Sequence, residues 1–284
     1  MSVRIICDST ADLNPAIAES IQVIPLTIRF GEQEYIDGVT ITKRQFYEKL
    51  VECDVLPTTS QITPGVFTQE FQKVVDAGDT AVVMTLAAEM SGTYQSAVIA
   101  AEDFPGKIFV VDSRSVTIGF GILAEYALSL ARQGMGAQEI AEALTEQRKR
   151  VRVVALLDTL EYLKRGGRIS KAVAFTGTML SIKPVVGVED GMISVLGKAR
   201  GSKQGNNLLV KQLEAAGGFD PQMPLLLGYS GLSDAMAVKY REDTRPLWGE
   251  KYSELRTAYM GSVIGTHAGP GIVAVAFFCN QPEK

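Results

Sequence analysis

Val3-Arg4-Ile5-Ile6-Cys7-Asp8-Ser9-Thr10 is an apolar, β-branched run of strand length that stops abruptly in three polar residues. Such a run reads as a strand buried on both faces, with its carboxyl end left to caps or ligands. The pattern returns at Ala81-Val82-Val83-Met84, at Lys107-Ile108-Phe109-Val110-Val111 and at Val151-Arg152-Val153-Val154-Ala155-Leu156-Leu157. Helical patterns lie between these runs. Thr42 to Asp54 places Phe46, Tyr47, Leu50 and Val51 on one face. Thr63-Pro64 supplies an N-cap with proline at the first helical position, and Phe67, Phe71, Val74 and Val75 follow at helical spacing until Gly78. Gly121 to Gln133 and Ala137 to Arg150 form a helix pair interrupted by Gly134 and Gly136. Strands separated by helices need crossover connections, which predicts a mainly parallel sheet with helices on both faces.

In such sheets, ligands gather beyond the carboxyl ends of the strands. The residues there are Asp8-Ser9-Thr10, Ser91-Gly92-Thr93, Asp112-Ser113 and Asp158-Thr159, four polar tips expected on one edge. Each is also what an ordinary helix N-cap looks like. The second half changes character. Ile182 to Val188, Asp190-Gly191 and Met192 to Leu196 have the spacing of a β-hairpin. Pro224 to Tyr229 and Ile272 to Phe278 read as strands, and Ser202 to Ala216 and Ser233 to Trp248 as helices. The expected fold is therefore α/β with two domains, residues 1–157 around the parallel sheet and 158–284 around a mixed or antiparallel sheet.

Composition narrows the function. The 284 residues are 46% hydrophobic and 21% charged, the profile of a globular protein with a substantial core. Twenty-eight Lys and Arg against 32 Asp and Glu leave a net charge of -4, so no general basic field draws in nucleic acid. An anionic ligand must be held by local donors. Cys7, Cys53 and Cys279 are far apart and form no metal motif, and buried thiols in a reducing compartment are expected. His267 is the only imidazole, with no CxxC, HExxH or GxSxG pattern around it, so neither a metal nor a cofactor is expected. The first residues lack a secretory signal, no stretch is long and apolar enough to span a membrane, and a cytoplasmic location is expected.

Four segments could carry chemistry. Pro57-Thr58-Thr59-Ser60-Gln61-Ile62-Thr63-Pro64-Gly65 reads as a hydroxyl-rich loop entering a helix, suited to an oxyanion or to simple capping. Met90-Ser91-Gly92-Thr93-Tyr94-Gln95-Ser96-Ala97 places glycine beside hydroxyls, where a ligand can approach the backbone; Ser91 has no base adjacent in sequence. Leu160 to Ser170 holds Lys164-Arg165-Gly166-Gly167-Arg168, either an anion-binding turn or a solvated helix end. Gly261 to Gly271 surrounds His267 with glycines and reads as a tight loop, with His267 facing a ligand or bonded to backbone.

Taken in order, Asp8-Ser9-Thr10-Ala11-Asp12-Leu13, Thr59-Ser60-Gln61, Ser91 to Ala97, Leu160 to Ser170 and Gly265-Thr266-His267-Ala268-Gly269-Pro270-Gly271 resemble the DegV family along essentially the whole chain. The resemblance implies a two-domain protein that encloses a long-chain fatty acid, such as palmitate, stearate or oleate, between its domains. In bacteria it implies the non-catalytic, lipid-binding subunit of fatty acid kinase, with that kinase as partner and transient contact with a membrane-associated acyltransferase that uses the acyl phosphate. By the same resemblance, the hydroxyls of Thr59 and Ser91 hold the carboxylate, with Gly92 and Thr93 beside them and His267 nearby. Arg168 matches the arginine after the double glycine, and Arg200 a second basic position used with the kinase. Ile62 stands where the family commonly has proline.

The chemistry is coherent. Burying about 15 methylenes at about 0.8 kcal/mol each yields on the order of 12 kcal/mol before ordering costs, so affinity comes from the tail. The head group needs only enough donors to avoid an unsatisfied anion. The chain has no Walker A loop, so presentation of the carboxylate to a separate kinase is expected. The rival reading is a stand-alone enzyme acting on a small carboxylated or phosphorylated substrate through Ser91 or His267.

Overall fold

The computed structural model describes residues 2–169 and 182–280, so Ser170, the last residue of the Leu160 segment, lies outside the described residues. The first half contains β1 (Val3–Asp8), β2 (Gln22–Ile24), β3 (Thr27–Phe30), β4 (Gln33–Ile36), α1 (Lys43–Glu52), β5 (Thr58–Ser60) and α2 (Pro64–Asp76). It continues with β6 (Thr80–Thr85), α3 (Thr93–Ala101), β7 (Ile108–Asp112), α4 (Thr117–Arg132) and α5 (Ala137–Gln147). Beyond these come β8 (Val151–Leu156), α6 (Glu161–Gly166), β9 (Ile182–Glu189), β10 (Met192–Arg200), α7 (Gly201–Ala215) and β11 (Leu226–Tyr229). The chain closes with α8 (Ala235–Asp243), α9 (Arg245–Trp248), β12 (Arg256–Tyr259), α10 (Ser262–Ala268) and β13 (Val273–Phe278).

The first sheet has the order β2-β1-β6-β7 and every pair is parallel. The middles of its central strands are apolar because alternate side chains enter different cores. Ile5, Cys7, Val82 and Met84 pack with α4 and α5 residues such as Leu123 and Ile140, whereas Ile6, Ala81 and Val83 pack with Phe67, Phe71 and Ala97 from α2 and α3. The second sheet, β10-β9-β8-β13-β11-β12, is antiparallel except for β11 beside β12. Its inner face, with Val153, Ala155, Ala274 and Ala276, shares one core with the first sheet. Between the sheets lies α4, buried on nearly every side, as its run of Ile118, Phe120, Ile122, Leu123 and Ala124 requires.

Three expectations need correction. Val151–Leu156 is not a fourth parallel strand of the first sheet; it pairs antiparallel with β13 and β9 in the second. An apolar run fits any doubly covered strand and does not name its neighbours. The hydroxyl-rich loop is in part a strand, since Thr58–Ser60 pairs with Thr27–Arg29 in a three-stranded antiparallel sheet, β4-β3-β5, that the sequence reading missed. The single helix expected from Ser233 to Trp248 is two, α8 and α9, because Pro246 lies in the first turn of the second. The hairpin stands as expected. Asp190 and Gly191 have φ of +48° and +76°, as a two-residue turn with right-handed twist demands. Among the described residues, no helix is long and apolar enough to cross a membrane.

Candidate functional site

A cavity of about 210 Å³ lies in the core that the two sheets share. A buried water needs roughly 10–15 Å³ by this measure, so the space has room for a long molecule rather than a solvent site. Its walls are apolar: Leu86 and Val116 from the first sheet's connections, Val153 and Ala155 from β8, Val263 and Ile264 from α10. Polar side chains collect at one end, where Thr59, Gln61, Ser91, Arg168 and His267 meet. Two further hydroxyl residues line the cavity, Thr10 and Thr117, but each donates its proton to a buried carboxylate, Asp8 at 2.6 Å and Asp12 at 2.7 Å.

Each polar residue is placed by a different element. Thr59 sits on β5 opposite Ile28. Ser91 and Gly92 precede α3; a Cβ on Gly92 would collide with the Gln61 amide, so glycine allows that side chain to lie against the loop. Arg168 follows Gly167, which ends α6 in the left-handed region at φ +68°. His267 is not in a tight loop but in the last turn of α10, another correction. The glycines around it have separate duties: Gly261 is the N-cap, Gly265 lies where any Cβ would meet Phe46 and Tyr47, and Gly269 terminates the helix at φ +79°.

The hydroxyls are held in place from behind. Thr59 Oγ1 lies 2.8 Å from His267 Nε2, and Ser91 Oγ lies 2.9 Å from Thr93 Oγ1. Burial, and then the positive charge of Arg168, push His267 down to about 4, so the ring is neutral at ordinary pH. Its Nδ1 is buried without a hydrogen-bond partner among the described residues. A bare acceptor is tolerated better there than an orphaned N–H. This favours the tautomer in which Nε2–H donates to Thr59, whose own proton is then free for an anion. Thr93 donates to Ser91 Oγ with its backbone N–H at 3.3 Å, and its hydroxyl can do the same. The Arg168 guanidinium donates to two backbone carbonyls, Met90 O at 3.3 Å and Gly166 O at 2.6 Å, and to no carboxylate among the described residues.

A second cavity, of about 390 Å³, lies on the far side of this polar wall. Thr59, Arg168 and His267 line both spaces, and Tyr162 and Arg165 face the outer one. The polar end is therefore a partition between an apolar chamber and a cationic vestibule.

The other expected residues separate cleanly. Thr93 is fully buried and lines neither cavity; it stands behind Ser91 rather than facing a ligand. Arg200 is exposed at the N-cap of α7, away from both spaces. Ile62 packs into the core, leaving Thr59 and Gln61 at the cavity. Of the four polar tips, Asp112 accepts from the backbone N–H of Ala88 and Arg114, and Asp158 pairs with Lys183. Asp8 accepts from Thr10 N–H in its own loop and from Leu86 N–H just after β6, joining the two loops. Only Thr10, Ser91 and Gly92 reach the cavity. Gln61 was not singled out, although the Thr59-Ser60-Gln61 triplet held the signal: on a strand, alternate residues share a face.

The depressed His267 has a measurable consequence. Between about pH 6.5 and 4 the unfolded chain takes up a proton that the folded ring refuses, so stability falls as pH falls, by about 2–3 kcal/mol at the acid end. Asp8, raised to about 6 chiefly by burial, has the opposite sign. Comparison of the intact protein with His267→Gln isolates the histidine. From about pH 7.5 to about pH 5 the melting temperature should fall less in the variant. Parallel pH profiles would show that the ring is not held neutral.

The model of the family described as "Uncharacterised protein, DegV family" matches residues 2–280. A DegV domain-containing protein of Clostridium perfringens is 31% identical over 278 residues, covering 97% of this chain and 98% of that protein. Among solved structures, a DegV family protein from Thermus thermophilus, described by its fatty acid binding, superposes with a TM-score of 0.87 at 30% identity, covering 98% of this chain and 100% of that one. A stearic acid-binding protein from Eubacterium ventriosum superposes with a TM-score of 0.84 at 25% identity, covering 98% of each chain. The family match over nearly the whole length and the relatives at 30% identity and above show that the chain belongs to the DegV family.

Proposed function

We propose that this protein is a carrier that encloses one long-chain fatty acid, tail in the inner chamber and carboxylate at the Thr59, Ser91 and Arg168 end. The observation that carries the reading is the composition of that cavity: mostly apolar walls, with unspent hydroxyl protons and a guanidinium that has no carboxylate partner among the described residues gathered at one end. A partly buried cation without a counter-ion is costly, and a ligand carboxylate supplies one. The related proteins described as binding fatty acid, one of them stearic acid, support the same class of ligand.

The vestibule supports a finer reading. A carboxylate held in the partition can be approached from the outer side by a phosphoryl donor on a partner fatty acid kinase, while the tail stays dry. Arg168 faces that side and suits the added charge of an acyl phosphate, with Arg165 beside it paired to Glu161. Phosphoryl transfer belongs to the kinase in this reading, Arg200 to the surface that meets it, and the product passes to a membrane-associated acyltransferase from the cytoplasm. The rival enzymatic reading is less well supported: His267 is bonded to Thr59 rather than Ser91, and among the described residues its Nδ1 has no carboxylate to orient it.

Mass spectrometry of an organic extract from the denatured protein should find about one long-chain fatty acid per chain. Lipid-free protein that also refuses added oleate would overturn the carrier. Incubated alone with ATP and oleate, the protein should form no acyl phosphate; formation without a kinase would favour the enzyme.

A further inference from the structure

The polar end of the inner chamber holds one donor that the carrier reading leaves without a task. Arg168, His267 and Thr59 are shared with the vestibule, whereas Gln61 lines the inner chamber only. It stands two residues beyond Thr59, so both side chains project from one face of the same extended segment.

The Gln61 carboxamide is held in place although the residue as a whole is exposed. Its Nε2 donates to Ser96 Oγ at 3.1 Å, and Ser96 is buried early in α3. The same group lies against Gly92, the N-cap of α3: a Cβ there would sit 2.2 Å from Oε1, 2.9 Å from Cδ and 3.0 Å from Nε2. The head of Gln61 is therefore packed on the residue that follows Ser91. Ordering a long side chain costs rotamer entropy, and here a bond to one buried hydroxyl and a contact that only glycine permits meet that cost.

A carboxamide nitrogen carries two N–H groups. One is spent on Ser96, and the second has no acceptor among the described residues. An ionised carboxylate has about four lone-pair sites, of which the hydroxyls of Thr59 and Ser91 fill at most two. A neutral N–H adds a donor at this end without burying another cation. We propose that Gln61 is a further ligand of the fatty acid carboxylate, donating its free Nε2–H to the head group that Thr59 and Ser91 hold. The inference rests on the fatty-acid reading above. Gly92 then has a role in binding, because any side chain there pushes the carboxamide off the site.

The test titrates oleate into the delipidated full chain against a fluorescent fatty acid, at about pH 8 and about 0.15 M salt, where exposed charges more than about 8 Å apart are largely screened. Gln61→Met keeps the length and removes the donor, so oleate should bind about tenfold more weakly. Gln61→Glu keeps the length and the bond to Ser96, whose hydroxyl then donates, but it sets a like charge beside the ligand. Oleate should bind at least about tenfold more weakly again. The order separates contact from bracing. A glutamine that only braced α3 would be replaced well by glutamate and poorly by methionine. The exposed position lets both variants fold, which melting of the delipidated proteins checks. Any order other than parent, then methionine, then glutamate in folded variants overturns the ligand and leaves the carrier intact. Refusal of oleate by the unsubstituted protein overturns the carrier, and the ligand with it.

Discussion

The Thr59→Ala/Ser91→Ala double variant is expected to lose bound fatty acid on purification and to bind added oleate about 30-fold to 10⁴-fold more weakly than the intact protein. On the proposed reading each substitution removes one donor to the carboxylate, a loss of about 1–3 kcal/mol, and the two together approach 2–6 kcal/mol. The sum is an upper guide because both hydroxyls serve one anion, and neighbours that share a partner do not add. Neither residue belongs to the packed core, so the delipidated variant should melt with the delipidated parent. A fluorescent fatty acid displaced by oleate gives the affinities. Thr93→Val is the informative control. It keeps the buried shape but removes the hydroxyl behind Ser91 Oγ, and so should weaken binding by no more than about tenfold. Affinity within about threefold of the parent in the double variant would remove Thr59 and Ser91 from the head-group site.

How much of this was legible in the sequence follows from what each residue's role depends on. The parallel sheet could be read because the part of a strand buried on both faces must be apolar, as Ile5–Cys7 and Ala81–Met84 are. Which sheet a strand joins depends on distant partners, so Val151–Leu156 was placed with the wrong neighbours. The alternation in Thr27-Ile28-Arg29-Phe30 before Gly31 is a strand signal, but it is only four residues long, and short periods compete poorly with long ones. His267 stood out as a candidate by being the only imidazole, and was misread as a loop residue. Glycine at position 265 looks like a helix breaker, yet its role is to let α10 approach Phe46 and Tyr47, a reason found only in packing. Thr93 beside Ser91 shows the same limit. Two hydroxyls two residues apart face either one ligand or each other, and the turn into α3 decides for the second. The vestibule had no local signal at all, since it is assembled from β5, α6 and α10.

The largest effect on stability is expected at Asp12, which the sequence reading passed over as part of a motif. Its carboxylate is buried and accepts from Gly261 N–H at 2.6 Å, Thr117 Oγ1 at 2.7 Å and Lys43 Nζ at 3.2 Å, joining the loop after β1 to α4, α10 and α1. Asp12→Ala leaves the amide and the hydroxyl buried without an acceptor, at about 1–3 kcal/mol each, so a loss of about 4 kcal/mol and about 10 °C in melting temperature is expected. Lys43 adds less, because its side chain is 39% exposed and can return to water. Asp12→Asn, which keeps an acceptor and the volume, should fall between the parent and the alanine variant. Charge gives an independent check. Burial raises the Asp12 carboxyl above its ordinary range, and Lys43 is the largest influence holding it down. Lys43→Met lifts it further. A carboxyl raised in the folded state contributes stability that is present at low pH and lost as pH rises through the folded value. The methionine variant should therefore be closest to the parent near about pH 5 and fall furthest behind near about pH 8. A constant gap across that range would mean that Lys43 acts on Asp12 through packing alone. Because α10 starts at this carboxylate and ends at His267, the alanine variant should also loosen the hold on Thr59, and its affinity for oleate should fall even where it remains folded.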